Sequence, residues 1–228
     1  MAIDDPTSKI LAAALEEFSE KGFRAATIRD ICAKAGVNLA AVNYYFGDKK
    51  KLYSAVFKQA HLRAHEDYPL PKWAPEEPPE NRLRDFVRVS MLRMQSKTDT
   101  NFHHRLMMRE FSQPTGVVEE LVEEFFRPHH KLLMSIMQEI VGPNVPEYRL
   151  NQLAFSMIGQ CLFYRFNQPV LRMLVPQETL DEHFGTEDLA EYIYRFVLTA
   201  LEHGGWGEPL ERQTLASDSA EPSAKGRL

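Results

Sequence analysis

Cysteine is scarce in this chain, which has only Cys32 and Cys161 in 228 residues. Two thiols so far apart in sequence form neither the disulfide framework of a small secreted domain nor a zinc site of clustered cysteines. The sequence also lacks an apolar run of the roughly 18–20 residues that a membrane-spanning helix needs, and its first residues do not have the order of a signal peptide. We therefore expect a reduced, cytoplasmic protein with no membrane partner.

Signatures of catalysis and of metal binding are missing as well. The sequence contains no GxSxG, HExxH or phosphate-binding loop. His103-His104 and His129-His130 are adjacent pairs, and neighbours on a helix point about 100° apart, so each pair offers one ligand to a face. We expect no catalytic residue, no cofactor and no metal.

Positive charge is in deficit overall, with a formal net charge of −5, but it is unevenly distributed. Residues 1–65 contain 10 Lys+Arg against 7 Asp+Glu, a net of +3, whereas residues 66–228 contain 17 against 25, a net of −8. A mildly basic head on an acidic body leaves room for a local anion site near the N-terminus.

Helical patterns occupy most of the sequence and the alternation typical of β-strands is absent, so the predicted fold class is all-α. The fourth predicted helix, 48–66, leads into residues 66–80, where five prolines in fifteen residues favour an extended loop. Four helices are predicted before that loop, with Asp5, Thr27, Asn38 and Asp48 as N-caps and Gly22, Gly36 and Gly47 at the ends of the first three.

The rest of the chain is predicted to be a larger helical body, residues 51–207. It is followed by a tail, 208–228, that has almost no large apolar side chain and is expected to be disordered. Pro128 lies inside one long helix and should kink it. The predicted body helices are 79–97, 102–112, 116–142, 147–168 and 186–203.

Residues 27–46 have the pattern of a helix-turn-helix, in which two short helices are joined by a turn that contains Gly36. Val42 and Phe46 are predicted to point into a small core. An outward asparagine can pair with adenine edges, and a small alanine lets a helix approach a DNA groove closely. The outward residues of the second helix are Leu39, Ala40, Asn43 and Tyr44.

Three lysines, Lys49 to Lys51, follow the cap Asp48. Cations at a helix start oppose the helix dipole, at a cost of roughly a few tenths of a kcal/mol each. The arrangement becomes favourable if an anion binds, because free backbone N–H groups and a lysine together hold a phosphate. We expect Lys49 to contact that phosphate, with the Tyr45 hydroxyl close by.

Residues 7–58 resemble the N-terminal domain of the TetR family of transcriptional regulators. The form NYYFGDK and residues 105–130 are similar to the CecR-like subgroup of that family. The resemblance implies an all-α homodimer whose first three helices bind DNA and whose fourth helix links head to body. It rests on the spacing of Gly22-Phe23, Thr27, Ile31, Ala33, Ala35-Gly36-Val37, Tyr45-Phe46, Lys49 and Leu52.

The resemblance assigns DNA contact to nine residues of the head, which is predicted to span residues 1–50. Position 39 is often lysine in the family and is leucine here, and position 41 is alanine where a hydroxyl is frequent. Base readout is therefore expected to rely on Asn43, Tyr44 and apolar contacts. The nine residues are Thr27, Arg29, Asn38, Leu39, Ala40, Asn43, Tyr44, Tyr45 and Lys49.

The body offers a candidate pocket for an apolar or amphipathic effector, although ordinary core packing would explain any single member. Two helices also carry more apolar surface than one helix buries, which a subunit interface would explain. The candidate pocket residues are Met91, Met94, Phe102, His103, Met107, Arg109, Phe125 and Phe155, with Arg93 as a further polar contact. The candidate interface residues are Phe155, Ile158, Leu162, Phe166, Leu189, Ile193, Phe196, Val197 and Ala200.

The sequence thus predicts a ligand-responsive DNA-binding regulator. In its simplest form it is a repressor that a small effector releases from a pseudo-palindromic, double-stranded operator. An activator fits the same residues, because the sign of regulation depends on where the operator lies. The alternative from another class is an all-α small-molecule-binding protein or enzyme whose head no longer binds DNA.

Overall fold

The computed structural model describes residues 5–95 and 100–204, except for the side chains of residues 60 and 100–105. Within these ranges the regular structure is helical throughout, which confirms the all-α prediction. The predicted tail, 208–228, lies outside the described residues. Among the helices that are described, none is long and apolar enough to cross a bilayer.

Three helices form the N-terminal head and a fourth links it to the body, and each of the four begins at its predicted cap. The Asp5 carboxylate accepts from the N–H groups of Thr7 and Ser8, and Asp48 Oδ1 accepts from Lys51 N at 2.8 Å. The head helices are α1 (Pro6–Ala25), α2 (Ile28–Ala35) and α3 (Leu39–Phe46), and the linking helix is α4 (Lys49–Asp67).

Helix α1 is interrupted at Gly22, the residue predicted to end it. Its φ of 77° lies in the left-handed region that favours glycine. A Cβ at this position would also lie 2.9 Å from Nη1 of Arg109, whose Nη2 donates to the Glu20 carbonyl at 2.8 Å. The interruption therefore lets an arginine of the body bind the carbonyl end of the first helical segment.

The proline-rich loop is non-helical over residues 69–78, as predicted, and the body helices follow it. Two short helices between 168 and 183 are not predicted from the sequence. Pro169 and Pro176 lie at the starts of these helices, where proline is tolerated because the first N–H groups have no intrahelical partner. The body helices are α5 (Pro79–Gln95), α6 (Thr100–Ser112), α7 (Val118–Leu121), α8 (Arg127–Val141), α9 (Glu147–Phe166), α10 (Gln168–Leu174), α11 (Gln177–His183) and α12 (Thr186–His203).

The helix predicted over 116–142 runs from 118 to 141 and contains one wide π-helical turn, Val122–Phe126, between α7 and α8. This turn directly precedes Pro128. A proline lacks the N–H that an α-helix needs and its ring crowds the preceding turn, so a local change of helical register is its expected effect. A π turn thus lies just before the proline from which a kink is predicted.

Two apolar clusters hold these elements together. The first is the head core, where Phe18 packs edge to face on Tyr53 with ring centroids 4.8 Å apart. Leu106 of α6 and Leu121 of α7 are buried in the same cluster, so the head shares its core with the body. The second cluster lies between α5, α8, α9 and α12. The loop residue Trp73 packs against it and donates from Nε1 to Asp85.

Candidate nucleic-acid interface

The turn between α2 and α3 is fixed by local hydrogen bonds. Thr27 Oγ1 accepts from Asp30 N at 3.1 Å, and Asn38 Oδ1 accepts from Ala41 N at 2.9 Å. Between these caps Gly36 ends α2 with a φ of 67°. Val42 is fully buried and fixes the inward face of α3. The helix-turn-helix predicted over residues 27–46 is therefore present with the predicted caps.

The outward face of α3 exposes the residues predicted there. Tyr44 is 83% exposed and Leu39 is 54% exposed, which is unusual for such large side chains. Tyr45 stands edge to face on Tyr44, with ring centroids 5.1 Å apart. Ala40 and Asn43 are exposed on the same helix. This face leaves an aromatic pair and an amide available to another molecule.

Lys49 is held at the junction of head helices. Its Nζ donates to the Arg24 carbonyl at 3.3 Å and lies 4.8 Å from the centre of the Phe23 ring. Burial lowers the pKa of Lys49. One hydrogen bond leaves part of the donor capacity of an ammonium group unused, so an anion can bind at the same place.

Two other lysines of the head form ion pairs within the protein. Lys34 pairs with Glu16 at 2.8 Å, and Lys21 pairs with Glu17 and Asp30. By contrast, no ion pair in the described part of the chain involves Arg24 or Arg29, and both are exposed. These two arginines are therefore available for phosphate oxygens, although the sequence singled out only Arg29.

The contacts between head and body converge on α4. Glu110 of α6 is buried and accepts from Tyr53 Oη at 3.1 Å and from Thr115 N at 2.9 Å. Ser54 donates to Glu120 at 2.9 Å, and Lys58 pairs with Glu124. A displacement of α7 or of the π turn would therefore shift the groups that bind the side chains of α4.

The predicted pocket residues are not brought to one place. Met91 is buried in the body core, whereas Phe125 belongs to the head core and Met107 packs against it. Arg109 binds the Glu20 carbonyl, as described above. Met94 lies partly buried at the edge of the body core, and Phe155 is 63% exposed. The side chains of Phe102 and His103 lie outside the described residues.

A polar cluster forms instead between α4, α5 and α8. His61 and His65 lie one turn apart on α4, and their ring centroids are 4.3 Å apart. The ring centroid of His129 on α8 lies 4.4 Å from that of His65, and Nη1 of Arg93 lies 3.2 Å from Nε2 of both His65 and His129. Arg93 and His129 were considered separately in the sequence, and His61 and His65 were not considered. The four-residue spacing of His61 and His65, which places both on one face of a helix, was the available signal.

The predicted subunit interface is divided between two environments. Leu189, Ile193 and Val197 are buried in the core of their own subunit, so they are unavailable to a partner. Ile158, Leu162, Phe166 and Ala200 are half-buried. The exposed aromatic residues of α9 and α12 are Tyr148, Phe155, Phe163, Tyr192 and Phe196, of which the sequence analysis named Phe155 and Phe196.

Family comparisons cover most of the described chain. The family described as bacterial regulatory proteins, tetR family, matches residues 10–56. The C-terminal domain of the HTH-type transcriptional dual regulator CecR matches residues 79–201. The first match covers the helix-turn-helix and the start of α4, and the second covers the body from α5 to α12.

Individual proteins agree with these matches. CecR of Shigella flexneri is 27% identical over 183 residues, which are 76% of this chain and 82% of CecR. RutR of Escherichia coli strain K12 is 40% identical over 58 residues, 25% of this chain and 27% of RutR. The structure of a TetR-like transcriptional regulator from Rhodococcus sp. RHA1 covers 87% of this chain and 96% of its own, with a TM-score of 0.59 and 16% identity. At that identity the structural likeness shows the fold.

Proposed function

Because the chain belongs to the tetR family of bacterial regulatory proteins, with a body of the CecR type, we propose that it is a homodimeric repressor which a small effector releases from its operator. The observation that carries the proposal is the outward face of α3, where the caps and buried Val42 hold an 83% exposed tyrosine beside an exposed asparagine. A chromosomal operator implies a cytoplasmic location. The relative CecR is called a dual regulator. We therefore also expect the sign of regulation to depend on where the operator lies.

The head, residues 1–50, is proposed to read DNA through α3. A helix fits the major groove, where Asn43 can pair with an adenine edge and Leu39 and Ala40 can meet thymine methyls. Thr27, Arg29, Asn38, Tyr44, Tyr45 and Lys49 surround this face and are proposed to contact phosphates or base edges. Arg24, exposed and without an ion pair in the described chain, adds a further phosphate contact.

The body, residues 51–207, is proposed to form the dimer through α9 and α12. These helices pack against each other within the subunit and expose aromatic side chains outward. Two such pairs related by a two-fold axis would bury those side chains in a four-helix bundle. The dimer would place two copies of α3 about 34–36 Å apart, one turn of DNA, so the operator is expected to be a pseudo-palindrome.

The effector is proposed to act by moving α4 relative to the body. Helix α4 begins at Lys49 in the head, and its side chains Tyr53, Ser54 and Lys58 are bound by acidic groups of α6, α7 and the π turn. An effector shifts this equilibrium only if it binds the DNA-free arrangement more tightly than the DNA-bound one.

Selection of bound sequences from random duplexes tests the proposal. The wild-type dimer should select a pseudo-palindrome, Asn43→Ala should alter the preferred bases, and Tyr44→Ala should weaken binding by about tenfold, the loss of one good contact. Asn81→Ala is the matched control, because Asn81 is bonded to Glu77 in the body. Failure to bind any duplex at low salt would instead favour the small-molecule-binding alternative.

A further inference from the structure

Arg93 is a half-buried cation whose donors are only partly used. Its Nε donates to the Tyr68 carbonyl at 2.9 Å, and Nη1 lies 3.2 Å from Nε2 of both His65 and His129. A guanidinium group has five N–H donors. These contacts use three, and Nη2 makes no hydrogen bond with the described residues. Because the side chain is half-buried and not sealed, Nη2 can be reached by a ligand.

Among the described residues, the groups around Arg93 supply no negative charge. His129 Nδ1 lies 2.8 Å from the Phe125 carbonyl, so Nδ1 carries the proton and Nε2 accepts from Arg93. Burial is the main cause that lowers the pKa of His65 to about 4 and also lowers that of His129, so both imidazoles are neutral at neutral pH. In the described chain no carboxylate forms an ion pair with Arg93, and burial lowers its pKa to about 10.

A half-buried charge without a counter-charge is costly, and an anion that pairs with it recovers much of that cost. Aromatic rings lie next to these histidines, and those of His61 and Phe126 are partly exposed. The His61 ring packs on Phe125 with centroids 4.4 Å apart and lies 5.8 Å from Phe126. A ligand that suits this place has one negative group and an apolar portion beside it.

We propose that the effector is a carboxylate on an apolar body, held by Nη2 of Arg93 with the His65 and His129 imidazoles fixing the guanidinium in place. This inference rests on the proposed function, since it names the class of effector that the body binds. His65 lies on α4, the helix that begins at Lys49 in the head, and 16 residues of helix span about 24 Å. A carboxylate at Arg93 therefore touches the helix that reaches the DNA-binding head.

The same imidazoles raise a competing possibility. One nitrogen of each of His61, His65 and His129 lies within 4.8 Å of the others, a set that suits a zinc ion. A guanidinium group already lies 3.2 Å from Nε2 of two of these histidines, however, and its charge would repel a divalent cation. We therefore favour the carboxylate and make zinc an arm of the test.

The test measures thermal unfolding of the full-length protein with acetate, octanoate, decanoate, benzoate and phenylacetate, each beside its uncharged amide. At least one carboxylate should stabilise the wild-type protein and bind at least about tenfold more tightly than its amide, the ratio expected of one charge-assisted hydrogen bond. Arg93→Gln should abolish the difference. Arg88→Gln, on the same helix but paired with Glu187, should keep it.

The unfolding temperatures of unliganded variants distinguish a ligand-binding role of Arg93 from a structural one. If Arg93 is an unpaired cation awaiting a ligand, Arg93→Gln should unfold at the same temperature as wild type or higher, and Arg93→Lys should retain a weakened preference for carboxylates. The inference fails if no carboxylate gives a shift that depends on Arg93. It also fails if Zn²⁺ alone stabilises the protein and His65→Gln, but not Arg93→Gln, removes the effect.

Operator binding, measured with the same proteins, distinguishes failure of the carboxylate inference from failure of the proposed function. The carboxylate that binds should raise the Kd of the wild-type protein for its selected duplex and leave that of Arg93→Gln unchanged. A protein that binds the duplex but responds to no carboxylate retains the proposed function and loses this inference.

Discussion

The head and the body differ in how far each functional face is determined by neighbours in sequence. In the head, Thr27, Asn38 and Asp48 each cap a helix by accepting a bond from an N–H three residues later. In the body, Arg93 meets His65 and His129 across three helices, 28 and 36 positions away. Local chemistry thus orients the DNA-binding helix, whereas the body cluster exists only once distant helices have packed.

The two regions nevertheless hold one cation each in a similar way. Lys49 and Arg93 are both half-buried, each donates to a backbone carbonyl, and neither forms an ion pair with a carboxylate of the described chain. A cation held in this way is oriented in advance and keeps donors for a ligand. We expect phosphate at Lys49 and carboxylate at Arg93. If head and body are coupled, a substitution at their contact should destabilise the protein. If the two cations differ, Lys49 and Arg93 should bind different anions.

The largest effect is expected at Glu110, where head and body meet. Glu110→Ala leaves Tyr53 Oη and Thr115 N without their buried acceptor and should cost about 3 kcal/mol in the free energy of unfolding. Denaturant unfolding measures it, with exposed Glu119→Ala as control at under about 0.5 kcal/mol. A cost for Glu110→Ala as small as that of the control would show that head and body do not depend on this contact.

Acid should destabilise the protein through His65, one of the histidines around Arg93. The folded-state pKa of His65, about 4, lies below its ordinary value of 6.5, so the folded protein binds fewer protons and its stability is lost as pH falls from about 6.5 through 4. Because His65 is half-exposed, we expect a discounted contribution of about 1–2 kcal/mol. Arg93, His61 and His129 face it from α5, α4 and α8.

Unfolding of His65→Gln over this pH range measures that contribution. The variant should lose less stability on acidification than wild type, because one proton-binding group of the unfolded chain is gone. His183→Gln, which alters an exposed histidine of α11, should follow wild type. Identical profiles for His65→Gln and wild type would mean that the cluster does not exclude a proton from His65.

These two regions also show what a sequence of this kind can and cannot predict. The caps, Gly22 and the inward Val42 were predictable because each acts within one or two helical turns. The short helices α10 and α11 were missed, and both begin at a proline, a residue that both ends and begins helices. Leu189, Ile193 and Val197, predicted for the interface, are covered by their own chain in the structure. An apolar stripe in a sequence does not reveal whether its cover is the same chain or another.

Substitution of Asn38 tests whether a local cap stabilises and orients α3. Asn38→Ala removes the cap of α3 and should cost about 1 kcal/mol of stability, while Asn38→Asp should retain most of it because an aspartate accepts the same bond. Calorimetry measures the stability, and operator binding should weaken in parallel for alanine. Loss of operator binding by Asn38→Asp with its stability intact would show that the charge at position 38 matters to DNA binding beyond the cap, because phosphates repel an added carboxylate.

The smallest effect is expected at Lys49, and it separates the two half-buried cations. If Lys49 binds a phosphate, Lys49→Ala should weaken binding to all duplexes alike and reduce the slope of log K against log salt by about 0.9, the release of one counterion. Lys50→Ala is the matched control, since Lys50 Nζ would lie 3.2 Å from a Cβ on Gly116 and so points to the body. An unchanged slope for Lys49→Ala, with weaker binding, would mean that Lys49 only joins α4 to the Arg24 carbonyl. Of the two half-buried cations, only Arg93 would then bind a ligand, and Arg24 and Arg29 would make the phosphate contacts.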